Sequence, residues 1–236
     1  MSGDAEAARR KLSDLVPGVS RETWGQLEAL VALLAKWQRT INLVGRASLD
    51  EVWTRHILDS AQVVPLIPAG ARALVDLGSG AGFPGLVIAA LRPDLAVTLI
   101  ESDARKAAFL GEAARGMALK RPPKIAIGRV ETVPPGGADV VTARALAPLG
   151  QLLAWADRHR LATAICLFHK GKGWRAELTE ATRDWEIDAT PHASATERDA
   201  VILRIASYRR RTNTGSGAGD RDRQSEGRRR KDDHGN

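Results

Sequence analysis

The chain has 236 residues, 44% of them apolar, a formal net charge of +7 and a single cysteine, Cys166. That length buries one good core and at most one small extra element, no run of about 18 apolar residues is present to cross a membrane, and one cysteine allows no internal disulfide. The polar opening "MSGDAEAARRKLSDL" contains no apolar export segment, so a cytoplasmic enzyme or binding protein is expected.

Residues 1–19 are expected to form a flexible N-terminus. Over 20–38, "SRETWGQLEALVALLAKWQ", Trp24, Leu27, Val31 and Leu34 recur on one helical face, with Ser20 as N-cap. A shorter helical pattern runs from about Leu49 to Val64 and stops at Pro65, so residues 20–68 read as a helical extension. From residue 73 the rhythm changes. Strand-like runs at 73–77, 97–101, 124–128, 138–143, 163–169, 185–190 and 200–207 alternate with helical stretches at about 84–91, 103–118, 145–160 and 173–182. The pattern predicts an α/β fold with a mostly parallel sheet and helices on both faces. The last two runs lack a helix-length connection and should pair antiparallel. From Arg209 onward nine basic residues face five acidic ones, a net of +4 that leaves +3 for residues 1–208. With almost no apolar residues, 209–236 reads as a disordered basic tail, either solubilising or phosphate-holding.

The stretch "VDLGSGAGFPG", Val75 to Gly85, ends the first strand and opens a helix. In an open α/β sheet this is where ligands bind. A dinucleotide fingerprint needs a third glycine where Phe83 stands, and no G-K-[ST] follows for a P-loop. Asp76, Gly78 and Gly80 therefore suit a ligand without a pyrophosphate, S-adenosyl-L-methionine, with Glu101 at the second strand's end to accept its ribose hydroxyls. The third strand's end, at Val130 and Glu131, would meet the adenine. Arg144 closes the fourth strand, beside the place where the methyl leaves.

These residues resemble a known family. "VDLGSGAGFPG", "IESDARKAAFL", "GRVET" and "TARALAPL", with "WQRTINLVG" and "RHILDS" upstream and "FHKGKGW" downstream, are similar to the glucose-inhibited division protein B family across about residues 20–208. The resemblance implies a Rossmann-like class I S-adenosylmethionine-dependent methyltransferase fold over 69–208, with a seven-stranded sheet. It implies cofactor contacts at Gly78, Phe83, Val130, Glu131 and Arg144. It also implies transfer of a methyl group to N7 of a guanine in the 530 loop of 16S rRNA. The expected partners are 16S rRNA or a small ribosomal subunit particle, with no membrane, and the chain acting as a monomer. His169 stands where the family more often has an apolar residue, and the arginine-rich tail lies outside the shared pattern.

Guanine N7 carries an in-plane lone pair and no proton, so methylation needs positioning more than a base. Arg144 and Lys170, at consecutive strand ends, are the candidates for steering the base, whose N7 and O6 both accept hydrogen bonds. Lys106 is a weaker candidate for an RNA phosphate. No metal-ligand spacing is evident among the scattered histidines, and His56 with Asp59, one turn apart, is the pair expected to line the pocket from the N-terminal helices. Of the six tryptophans, Trp174 in its Gly-Lys-rich loop is the candidate for stacking on RNA. Three other classes remain open: a methyltransferase acting on a protein or small molecule, a non-catalytic RNA-binding protein, and a nicotinamide oxidoreductase. The missing Asn-Pro-Pro-Tyr motif and net positive charge disfavour the first, the intact loop with Glu101 and Arg144 the second, and Phe83 the third.

Overall fold

Leu74, Val140 and Leu167 pack on one side of a sheet and Val75, Val141 and Phe168 on the other, all at 2% exposure or less. Both faces are thus covered, as a parallel sheet requires. The computed structural model describes residues 3–212. Its strands are β1 (Ala73–Leu77), β2 (Ala96–Glu101), β3 (Lys124–Ile127), β4 (Ala138–Arg144), β5 (Arg160–Lys170), β6 (Trp185–Ala193) and β7 (Val201–Arg210). They lie in the order β3-β2-β1-β4-β5-β7-β6. The first five run parallel, and β7 inserts antiparallel between β5 and β6. The expected terminal pair is therefore present. The strand order reverses between β1 and β4, which opens a crevice at their carboxyl ends.

The helices are α1 (Gly3–Leu15), α2 (Arg21–Trp37), α3 (Asp59–Ala61), α4 (Gly85–Leu91), α5 (Ala104–Gly116), α6 (Leu149–His159) and α7 (Trp174–Asp184). Leu27, Leu30 and Leu34 of α2 join Leu86 of α4 and Phe109 of α5 in one core with Leu74 of the sheet. Helices α6 and α7 supply Leu149, Leu152, Leu153 and Trp174 to the core on the opposite face. Ser20 caps α2, accepting the Thr23 N–H at 3.1 Å. Cys166 is fully buried, and burial pushes its thiol up to about 12.

Three expectations change. Within the N-terminal segment expected to be flexible, residues 3–15 form a packed helix: α1 buries Ala5, Ala8 and Leu12, and Asp4 accepts hydrogen bonds from the Trp53 N–H and the Thr54 hydroxyl. The helix expected over 49–64 is instead a π-helix at Trp53–Leu58 running into the short α3. Its wide turn faces the crevice, where such distortions are common at functional sites. Strand β7 runs on to Arg210, past the expected start of the tail, and residues 213–236 lie outside the described residues. Among the described residues no helix is long and apolar enough to cross a membrane.

Candidate active site

The glycine loop turns sharply because Gly78 and Gly80 adopt φ of +62° and +55°, a region costly for residues with a Cβ. Close packing adds a second constraint, since a Cβ on Gly78 would lie 2.4 Å from Leu146 Cδ1. At Gly80 a Cβ would meet only the Gly78 carbonyl oxygen, at 3.9 Å, so this residue borders open space. The loop forms one wall of a cleft of about 950 Å³ at the carboxyl edge of the sheet. Glu101 at the end of β2, Ser102 beyond it and Lys106 of α5 continue that wall. The Glu101 carboxylate accepts the Gly80 N–H at 2.8 Å and the Asp103 N–H at 2.7 Å. A carboxylate has about four lone-pair sites, so acceptor capacity remains on the cleft side.

The opposite wall comes from the N-terminal extension and the β6–β7 connection, through Leu43, Val44, Ser48, His56, Asp59 and Thr196 among others. Sheet register sets Arg144 beside His169 at adjacent strand ends. Arg144 Nη1 donates to the Arg55 carbonyl and to Asp59 Oδ2, each at 3.0 Å, and Nη2 lies 2.9 Å from His56 Nδ1. A guanidinium only donates, so His56 Nδ1 is the acceptor and its proton sits on Nε2, 2.8 Å from Ser48 Oγ. The imidazole also stacks on Phe83, with centroids 5.0 Å apart and planes 17° apart. Burial and then the Arg144 charge lower His56 to about 4. It is neutral near pH 7.

Asp59 joins the walls. Its Oδ1 accepts from Gln62 Nε2 and Thr196 Oγ1, both at 2.8 Å, and its carbonyl accepts from His169 Nε2 at 2.8 Å. Burial raises the carboxyl, but the His169 and Arg144 charges and the Thr196 hydrogen bond outweigh it and hold the group below its usual range. Burial also lowers His169. Arg144 is therefore the permanent counter-charge, while His169 supplies one only in acid.

Of the residues expected at the site, Gly78, Gly80, Phe83, Glu101, Arg144 and Lys170 border the cleft. Asp76 does not reach it; it is fully buried beneath the loop. Val130 and Glu131 do not line it either. Val130 is buried with its carbonyl 2.8 Å from His159 Nε2, and Glu131 is exposed and paired with Arg129 at 2.8 Å. The Lys170 ammonium is buried and bonded to Glu177. Trp174, at 8% exposure, is a core residue rather than a stacking platform. The residues the sequence left unmarked are Ser48, which meets His56, and Gln62 and Thr196, which meet through Asp59 and Ser194. The motif "RHILDS" was the available signal for that meeting.

Residues 24–204 match the family model described as rRNA small subunit methyltransferase G. The ribosomal RNA small subunit methyltransferase G of Paramagnetospirillum magneticum is 51% identical over 194 residues, covering 82% of this chain and 93% of that protein. The corresponding protein of Jannaschia sp. is 48% identical over 201 residues, covering 84% and 93%. Among solved structures, the Bacillus cereus O-methyltransferase in complex with SAH aligns with a TM-score of 0.54 at 12% identity, over 85% of this chain and 97% of that one. Such a likeness shows the shared class I methyltransferase fold and leaves the acceptor open. By sequence, the chain belongs to the rRNA small subunit methyltransferase G family, and it is an rRNA methyltransferase.

Proposed function

We propose that the protein transfers a methyl group from S-adenosyl-L-methionine to N7 of a guanine in the 530 loop of 16S rRNA. The observation that carries this reading is the use of His56 and Asp59. Both border the cleft, yet the His56 Nδ1 lone pair and Asp59 Oδ2 are taken up by Arg144. Hydroxyl or amine acceptors lose a proton on methylation and benefit from a base. Guanine N7 has a lone pair and no proton, so a site whose imidazole and carboxylate are both engaged by Arg144 suits it.

The residues present fit the donor. Glu101 keeps acceptor capacity toward the cleft for ribose hydroxyls, and the Gly80 backbone borders open space for the amino-acid end. When bound, the sulfonium supplies an electrophilic methyl group. The chain's own part is positioning, which supplies much of the rate in reactions of this kind. Arg144 spends both Nη1 hydrogens and one Nη2 hydrogen within the protein, so its remaining N–H groups serve guanine O6 and leave the N7 lone pair free. Phe83 and His56 present a stacked apolar surface beside it.

The test is transfer of a labelled methyl group to small ribosomal subunits lacking the modification, with naked 16S rRNA and a protein extract alongside. Label recovered as 7-methylguanosine from the 530 loop supports the reading. Label in protein, or in another nucleoside, overturns it.

A further inference from the structure

Lys170 ends β5 at the cleft, where a lysine reads as a contact for RNA. Its surroundings say otherwise. The residue is 7% exposed, and Nζ donates to the Ala147 carbonyl at 2.9 Å and to Glu177 Oε2 at 2.6 Å. That same Glu177 oxygen accepts the Leu149 N–H at 3.1 Å, at the first residue of α6. Lys170 and Glu177 thus grip the 145–149 turn at two points. The turn includes Ala145 at a φ of +51°, a conformation that a residue with a Cβ holds only when its surroundings impose it. Immediately before the first grip, and next to Ala145, lies Leu146, whose side chain fills the space a Gly78 side chain would need. The mechanical path therefore runs from Glu177 and Lys170 through the turn to Leu146 and on to the glycine loop.

The geometry points to Lys170 and Glu177 as positioning residues for the donor-binding loop, acting on S-adenosyl-L-methionine affinity and not on rRNA contact. The inference rests on the proposed use of that loop for the donor. Glu177 does not border the cleft, so any effect of its removal on the donor travels through the turn. This gives the two roles of Lys170 opposite signatures. If the ammonium grips the turn, Glu177→Ala and Lys170→Met both loosen the loop. If it binds RNA, Glu177→Ala frees a cation and tightens rRNA binding.

Binding of S-adenosylhomocysteine to the RNA-free protein is measured by calorimetry for wild type, Lys170→Met and Glu177→Ala. The KM for small subunits is measured in parallel across a salt series. The expected result is a Kd raised roughly ten-fold in both variants, the size of one lost charge-assisted hydrogen bond. The slope of log KM against log salt stays unchanged, because no phosphate contact is lost. Unchanged donor affinity in folded Glu177→Ala overturns the inference. So does a salt slope reduced by about one in Lys170→Met, the mark of a lost phosphate contact. Should Lys170→Met fail to fold, Glu177→Ala, altered on a part-exposed helix face, decides alone. Wild-type protein that binds no S-adenosylhomocysteine overturns the proposed donor, and the inference falls with it.

Discussion

Thr142 Oγ1 donates to Asp76 Oδ1 at 2.8 Å, across the β1–β4 register that sets the two residues side by side. Oδ2 of the same acid lies 3.3 Å from the Gly85 N–H, so one buried carboxyl ties two strands to the start of α4 beneath the glycine loop. Burial pushes this carboxyl up to about 6 from 3.8, outweighing the hydrogen bonds and the Arg144 charge. The folded state then holds a proton that the unfolded state releases. Its stabilisation is complete below 3.8 and is lost as pH rises through about 6, a change of about 3 kcal/mol. Asparagine cannot ionise. Urea unfolding should therefore show Asp76→Asn gaining on wild type between about pH 3.8 and 6. A difference that stays constant across this range means an ordinary acid. Through the loop it braces, the same variant should also weaken binding of S-adenosylhomocysteine without unfolding the protein.

His56 gives a second pH signature. Its folded value of about 4 lies below the ordinary 6.5, so its contribution to stability is present above about 6.5 and is lost as pH falls toward 4. Its Nδ1 lone pair is engaged by Arg144 and its basicity is lowered, so it is a poor proton acceptor. The value of kcat/KM for small subunits should be level from about pH 6.5 to 9, with no inflection near 6.5. An inflection there that disappears in His56→Gln would make His56 a proton acceptor in the reaction.

Arg144→Lys tests the fork itself. The guanidinium reaches the Arg55 carbonyl, Asp59 and His56 from one rigid plane, and an ammonium is a point charge that cannot hold all three. Loss of about 2–3 kcal/mol of transition-state positioning lowers kcat/KM on the order of 100-fold. The protein should still fold, since the charge opposite Asp59 is kept. Steady-state rates beside a thermal melt check this, and wild-type rates would mean that the orientation of Arg144 is not used.

The sheet was legible because burial on both faces leaves its mark in short apolar runs: β1 falls at the expected 73–77, and β2 and β4 begin or end one residue away. Helix α1 was not, because it buries two alanines and one leucine, a face too small to stand out against its charged neighbours. The π-helix has no residue period distinct enough to find. At the site, Glu101 was placed by its strand-end position, and Arg144 by its strand-end position and the resemblance. A strand-end position fixes the edge a lysine occupies but not where its ammonium turns. Lys170 therefore read as an RNA contact until Glu177, across a loop, accounted for it. Val130 and Glu131 were expected both from the third strand's end and from the resemblance, and they do not line the cleft.

Gly85 provides the sharpest packing prediction. A Cβ there would lie 2.3 Å from Leu99 Cδ2, 2.8 Å from Asp76 Oδ2 and 3.1 Å from Asp76 Cβ. Leu99 is completely buried and cannot swing away, and Asp76 is fixed by Thr142. Overpacking of this kind costs about 1–3 kcal/mol, and the strain falls on the Asp76 hydrogen bond that braces the loop. Gly85→Ala should therefore lower the urea midpoint and weaken binding of S-adenosylhomocysteine together. Gly25→Ala is the control. Gly25 is exposed within α2 with nothing within 4 Å of an added Cβ, so alanine gains about 0.5–1 kcal/mol from helix propensity alone and leaves the donor affinity unchanged. Opposite shifts in the two midpoints are the expected outcome. Equal midpoints would mean that α4 does not start as closely against Asp76 and Leu99 as the backbone places it.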